Sequence, residues 1–194
     1  MNQRKPEYPI NPLFIKRWSP RAMSGELLST QELMSLFEAA RWAPSSYNNQ
    51  PWRFLYALKH TPSWDLFFNL LVPANQEWAV NGAVLMVLIS HITFEYNNKL
   101  SRTHSFDAGA AWENLALQGA HMGLVVHGLE GFDYDKARQV LAIPQDYTVE
   151  AMIVVGKPGK LEVLSEKLQE HEIPSLRKPI AEIAFEGIFS NAPK

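Results

Sequence analysis

The sequence predicts an α+β domain, a central mixed β-sheet flanked by helices, with a less ordered α/β arrangement as the alternative. Three observations predict it. Segments with apolar residues at helical spacing alternate with short apolar runs along the chain. One of those runs, AVLMVLIS (83–90), is too uniformly apolar for a strand with a wet face, so it belongs in mid-sheet, covered on both sides. Neither G-x-G-x-x-G after a first strand nor G-x-x-x-x-G-K-S/T occurs, so dinucleotide-binding and P-loop arrangements have no motif support. The 194 residues suit one domain, 1–194, and no repeat or linker divides them.

Each element has its own signal. Ser29 followed by Glu32 reads as a capping box, and Leu33, Leu36, Phe37 and Ala40 then recur at helical spacing until Pro44 ends the run. FLYAL (54–58) is a short strand. Thr61-Pro62 reads as a cap and first helical residue, with Leu66, Phe67, Leu70 and Leu71 forming the apolar face of that helix. After the central strand comes a long helix, about 105–122, with Gly123 at its C-terminal cap. LVVHG (124–128) is a strand; Asp133 caps a helix through Leu141 that Pro144 stops; VEAMIVVG (149–156) is the last strong strand. The acidic-basic run SEKLQEHE (165–172) reads as a solvated helix or loop. Beyond it the tail still carries IAEIAFEGIF, more apolar than a solvated tail needs, which points to packing against another subunit.

Composition excludes several classes. A net charge of −2 offers no general attraction to nucleic acid or to an anionic membrane surface. The longest purely apolar run, 84–89, is far too short to span a bilayer, and the polar, Pro-broken start is unlike a signal peptide. With no cysteine there is no disulfide, thiolate catalysis or cysteine metal site. His104 and His121 have no carboxylate at a ligand spacing, so no metal is expected. A cytoplasmic enzyme or binding domain is the expectation.

Five polar clusters remain. In KRWSPRAMS (16–24), Arg17, Ser19 and Arg21 alternate, so an extended chain aims them to one side; two guanidinium forks around a hydroxyl suit a phosphate, a solvated basic turn being the other reading. PSSYNNQPW (44–52) offers Ser45, Ser46, Asn48 and Gln50, amides that suit a flat heterocycle with mixed donor and acceptor edges, or else simply a turn. ANQEW (74–78) precedes the central strand, and HGLEGFD (127–133) ends another, where Gly128 and Gly131 allow close backbone approach to a ligand. SLRKP (175–179) carries Arg177.

In their order and spacing, RWSPR, APSSYNNQPWRF, LEGFD and the late Arg-x-Pro resemble the FMN-dependent nitroreductase family, from about Arg17 to about Phe189. The resemblance implies an intertwined homodimer with FMN at its interface, the tail from about 160 to 194 packing on the partner subunit. It implies that Arg17, Ser19 and Arg21 hold the FMN phosphate and pyrimidine edge. Trp18 stands where the family often has a basic residue or His, which leaves its backbone as the contact. Pro44, Ser45, Ser46 and Asn48 reach FMN from the partner, with Gln50 supporting their loop. Asn75 bonds the pyrimidine edge. Gly128, Leu129, Glu130 and Gly131 lie along the isoalloxazine, with main-chain N–H groups near N5. Arg177 closes on the phosphate, and Ser175 stands where many members have Lys.

The activity implied is ping-pong hydride transfer from NAD(P)H through flavin to a nitroaromatic, quinone or similar electron-poor acceptor. No residue is assigned as general acid. The alternatives are a non-catalytic flavin-binding or storage protein, or a specialised flavin enzyme of the same fold, of the dehalogenase or flavin-breakdown type. His127 is a candidate proton donor or a structural histidine, the latter preferred; Trp64, Trp78, Trp112 and Leu115 are read as packing.

Overall fold

The apolar runs pair into one sheet. Strands β1 (Trp52–Leu58), β2 (Val84–His91), β3 (Val125–Leu129) and β4 (Tyr147–Gly156) lie in the order β1-β2-β4-β3 in the computed structural model, which describes residues 4–189. All three pairings are antiparallel, with Leu55 opposite Val87, Val87 opposite Met152 and Val126 opposite Val155. The α+β class expected from the sequence is what forms. Over the described residues the mixed sheet narrows to an antiparallel one, because helical crossovers return each strand to run against its neighbour. A register shift at Leu88/Ile89 breaks the β2–β4 ladder.

The helices are α1 (Pro12–Lys16), α2 (Thr30–Arg41), α3 (Trp64–Phe68), α4 (Pro73–Ala79), α5 (His104–His121), α6 (Tyr134–Val140) and α7 (Glu166–Gln169). The capping box closes reciprocally: the Ser29 hydroxyl accepts from the Glu32 N–H while the Glu32 carboxylate accepts from the Ser29 N–H. Asp133 caps α6 by accepting from the Lys136 N–H. Gly123 follows α5 at φ 75°, a conformation glycine adopts without steric cost. Thr61-Pro62 does not open a helix. The turn continues through Ser63, α3 spans only Trp64–Phe68, and Leu66 faces solvent while Phe67, Leu70 and Leu71 are buried. ANQEW is itself helical, lying in α4.

Two cores sandwich the sheet. On one face Leu85, Val87, Met152 and Val154 pack under α3, α4 and α6, with Phe67 and Trp78 filling the layer. On the other, Val84, Met86, Ile153 and Val155 meet Leu33, Leu36 and Ala40 of α2 and Leu115 of α5. β2 is apolar throughout because both its faces are covered. Each fully buried side chain of this kind contributes about 1.5–3 kcal/mol relative to exposure.

The 165–172 run corrects one expectation. Glu172 is not solvated: its side chain is 4% exposed, and it accepts from the main-chain N–H groups of Arg21 (2.5 Å) and Ala22 (2.8 Å). A carboxylate there satisfies two main-chain donors of the extended segment that make no other main-chain bond.

Candidate functional site

Three segments distant in sequence form one strip. The extended stretch 17–22 crosses the end of β3, where the His127 Nδ1–H donates to the Pro20 carbonyl at 2.9 Å and the imidazole packs on Trp78 at 4.6 Å between ring centres. Past β3 the chain turns through Glu130 and Gly131. There the Gly131 carbonyl accepts from the Val72 N–H (3.1 Å) and from the Asn75 amide (3.0 Å). Asn75 and Gly131, expected at one ligand, are thus in direct contact. His127 is structural: burial first of all pushes its pKa down, so the ring stays neutral and holds 17–22 against β3.

The glycines also have a packing reason. A Cβ on Gly128 would sit 2.9 Å from the Trp112 ring, and one on Gly131 would sit 2.5 Å from the Asn75 amide nitrogen. Trp112 therefore belongs to the site, a residue the sequence reading left as packing. A cavity of about 440 Å³ opens here, with Gly109 and Trp112 of α5 on one side and Gly128, Leu129 and Glu130 on the other. The buried Trp112 indole N–H has no acceptor among the described residues.

The arginines gather at a separate cavity. Arg17, Arg177 and Arg4 line a second cavity of about 640 Å³ together with Glu113. Arg4, unremarked in the sequence, donates to the carbonyls of Ile15 (2.6 Å) and Arg17 (3.0 Å). Burial, then the nearby Arg177 and Arg17 charges, hold its pKa below the usual arginine value. Three guanidinium groups that repel one another are the donors an anion would need. Arg17 lies 3.5 Å from the Ser19 hydroxyl and 3.7 Å from the Glu113 carboxylate. Arg177 bonds the Ser175 hydroxyl at 3.1 Å. Arg21 does not share this cavity; its guanidinium turns to Glu172 at 3.8 Å. Trp18 lines a third cavity, with Arg17 and Glu172.

Pro44, Ser45, Ser46 and Asn48 stand apart. Their loop is tied to the start of α5, where the Ser46 N–H donates to the buried Asp107 (3.1 Å), and to residues 93–95 through both sides of the Asn49 amide. Gln50 supports the loop as expected: its N–H donates to the Ser45 hydroxyl (3.0 Å) and its amide to the Asn48 carbonyl (3.1 Å). Among the described residues no hydrogen bond joins this loop to the 17–22, 72–75 or 127–131 segments. Glu113, Glu172, Asp107 and Arg4 carry no local motif, since each acts on a residue at least 11 positions away; only the fold could find them.

A group with a phosphate at one end and a planar, amide-edged ring at the other fits these residues: guanidinium donors at the first, and at the second an orphan indole N–H, the Asn75 amide and closely approached backbone. No helix of the described residues is long and apolar enough to cross a membrane, and no cluster of three or more His, Asp or Glu among them could hold a metal ion.

Comparison with known proteins gives the same direction. The sequence model of the nitroreductase family matches residues 15–63 and 57–157. Protein DrgA of Synechocystis sp. is 30% identical over 164 residues, covering 69% of this chain and 78% of its own. A structure described as the oxidoreductase containing FMN superposes with a TM-score of 0.93 at 44% identity, over 98% of each chain. A protein from Desulfovibrio desulfuricans, solved in complex with FMN, gives 0.71 at 25% identity over 94% of this chain and all of that one.

Proposed function

This chain belongs to the nitroreductase family, and from that membership we propose that it is an FMN-dependent oxidoreductase taking hydride from NAD(P)H and reducing a nitroaromatic, quinone or similar electron-poor acceptor. When bound, FMN supplies the centre that accepts hydride and passes it on. The two substrates use one open face in turn, giving ping-pong order.

The observation that carries the reading is the set of donors that one chain gathers. One chain presents guanidinium groups at Arg4, Arg17 and Arg177, backbone at Gly128–Gly131 beside an orphan indole N–H, and the Asn75 amide fixed to Gly131. Arg17, Ser19 and Arg177 hold the phosphate, Arg4 adding a third positive group. Arg21 pairs with Glu172, whose carboxylate fixes the backbone at 21–22, and this gives Arg21 a positioning role. Asn75 and the main chain of Gly128, Leu129, Glu130 and Gly131 meet the ring. Trp18 contributes through its backbone. Positive charge and amide donors stabilise negative charge that develops on the ring's pyrimidine side.

Pro44, Ser45, Ser46 and Asn48, joined to none of these in their own chain, serve the equivalent site of a partner subunit. Residues 160–172 pack on their own chain, with Leu164 in its core and Glu172 on its 21–22 backbone, so it is the tail beyond Glu172, and not from about 160 as expected, that packs on that partner. This accounts for the exposure of Ile173, Leu176, Ile183, Ile188 and Phe189 in the single chain.

The test is the visible absorption spectrum of the protein after incubation with FMN and desalting, before and after anaerobic NADH or NADPH. A retained flavin band that bleaches and returns on adding a quinone or nitroaromatic is the expected result, and it also chooses the nicotinamide. A retained band that never bleaches overturns the enzyme reading in favour of storage; no retained band overturns the cofactor.

A further inference from the structure

Reducing a quinone to a hydroquinone takes two electrons and two protons, and a hydride brings only one of the protons. Resting on the function proposed above, the other must come from the protein or from water. The cavity beside Gly128 and Leu129 is walled on its sheet side by Glu150 of β4. This carboxylate is not simply exposed there. Its Oε1 accepts from the hydroxyls of Ser90, at short range, and of Ser105 at 2.8 Å. Ser90 sits on β2 and is fully buried. Its Oγ is also 2.7 Å from His104 Nδ1, at the first turn of α5.

The directions of these bonds follow from proton count. A serine hydroxyl has one proton, and a carboxylate is the stronger acceptor, so Ser90 donates to Glu150. Ser90 must then accept from His104, which fixes the imidazole proton on Nδ1. The result is a one-way chain, His104 Nδ1–H to Ser90 Oγ–H to Glu150 Oε1 at the cavity wall, folded tightly enough that Nδ1 also lies 3.5 Å from Oε1.

We propose that His104, Ser90 and Glu150 form a proton relay that delivers the second proton to an acceptor bound in the Gly128–Glu130 cavity. In one passage the His104 imidazolium loses its Nδ1 proton to Ser90 Oγ as Ser90 passes its own to Glu150. The Glu150 O–H bond then breaks as an O–H bond forms on the acceptor oxygen. Solvent returns a proton to His104. The electrons come from NAD(P)H, so the balance is NAD(P)H plus quinone plus one proton giving NAD(P)⁺ plus hydroquinone.

Two other acids face the same cavity. Glu130 is exposed and makes no side-chain hydrogen bond among the described residues. Tyr134 on α6 has its pKa raised by burial first, then by the Glu130 and Glu150 charges, so it keeps its proton. Glu150 is the one joined to a buried donor chain, and that selects it.

The experiment compares FMN-loaded wild type with Glu150→Gln and Ser90→Ala, using NAD(P)H and two acceptors: a benzoquinone, which needs protons, and ferricyanide, which takes only electrons. The relay predicts that the ratio of quinone to ferricyanide turnover falls on the order of a hundredfold in Glu150→Gln and clearly, though less, in Ser90→Ala. A ratio within about twofold of wild type in both variants overturns it, as does an equal fall with both acceptors, which marks a purely structural role. The His104 Nδ1–H proton resonance, followed by NMR, gives a reading independent of turnover: it is expected in wild type and shifts or is lost in Ser90→Ala, and an unchanged resonance overturns the chain. Wild type that binds FMN yet reduces neither acceptor overturns the proposed function itself, a different outcome from a ratio that does not change.

Discussion

His127 shows how a single residue can be both suggestive and structural. At a strand end it reads as a candidate proton donor or, preferred, as a structural histidine. Buried against Trp78 and donating to Pro20, it pins the arginine-bearing segment to the sheet. Its pKa is lowered from the unfolded value of 6.5, so the folded protein resists binding a proton there. Stability from this group is complete above about pH 6.5 and is lost as pH falls from there through the lowered folded pKa. Urea midpoints measured from pH 7.5 to 4.5 should show this fall, and His127→Gln should flatten it. Gly128 makes a second residue-scale prediction. Gly128→Ala puts a methyl 2.9 Å from the Trp112 ring and should cost about 1–3 kcal/mol, read from the denaturation midpoint. The glycine was legible in sequence, but its reason was not: only the fold brings Trp112, sixteen positions earlier, over it.

Among the elements, the 44–50 loop depends most on distant support. Tyr47, Asn48 and Gln50 all have positive φ, near 50°, in a stretch without glycine. Such conformations persist where surroundings impose them. Here the surroundings are Asp107 under Ser46, the Ser45 hydroxyl under Gln50, and Asn49 bridging to Thr93 and Glu95. Asp107→Ala should leave the Ser46 N–H without its acceptor, cost about 1–3 kcal/mol, and speed hydrogen exchange at that amide while the α2 amides hardly change. The polar composition of the loop was readable because turns and ligand contacts both draw on Ser, Asn and Gln. Its anchorage was not, because Asp107 looks in sequence like any acidic residue in the first turn of a helix. Helix α2 is the opposite case. Its capping box and apolar spacing are local signals, and they place its start to the residue.

At the scale of the whole molecule, the exposed apolar side chains of the tail bear on assembly. If they cover a second copy, as proposed, a chain truncated after Glu172 should sediment as a monomer and bind FMN more weakly, while the full chain sediments as a dimer. A full-length monomer that keeps FMN would argue against the shared site. The sequence by itself determined the α+β class, the double-faced burial of β2 and the caps at Ser29, Gly123 and Asp133, since periodicity and capping act over a few neighbouring positions. Tertiary structure alone decided the pairing of Arg21 with Glu172, the joining of Arg4 to Arg17 and Arg177, the Trp112 wall and the His104–Ser90–Glu150 chain. Each of these rests on burial and hydrogen bonding between residues far apart in the chain, and such contacts leave no mark in local sequence until the sheet and its helices bring them together.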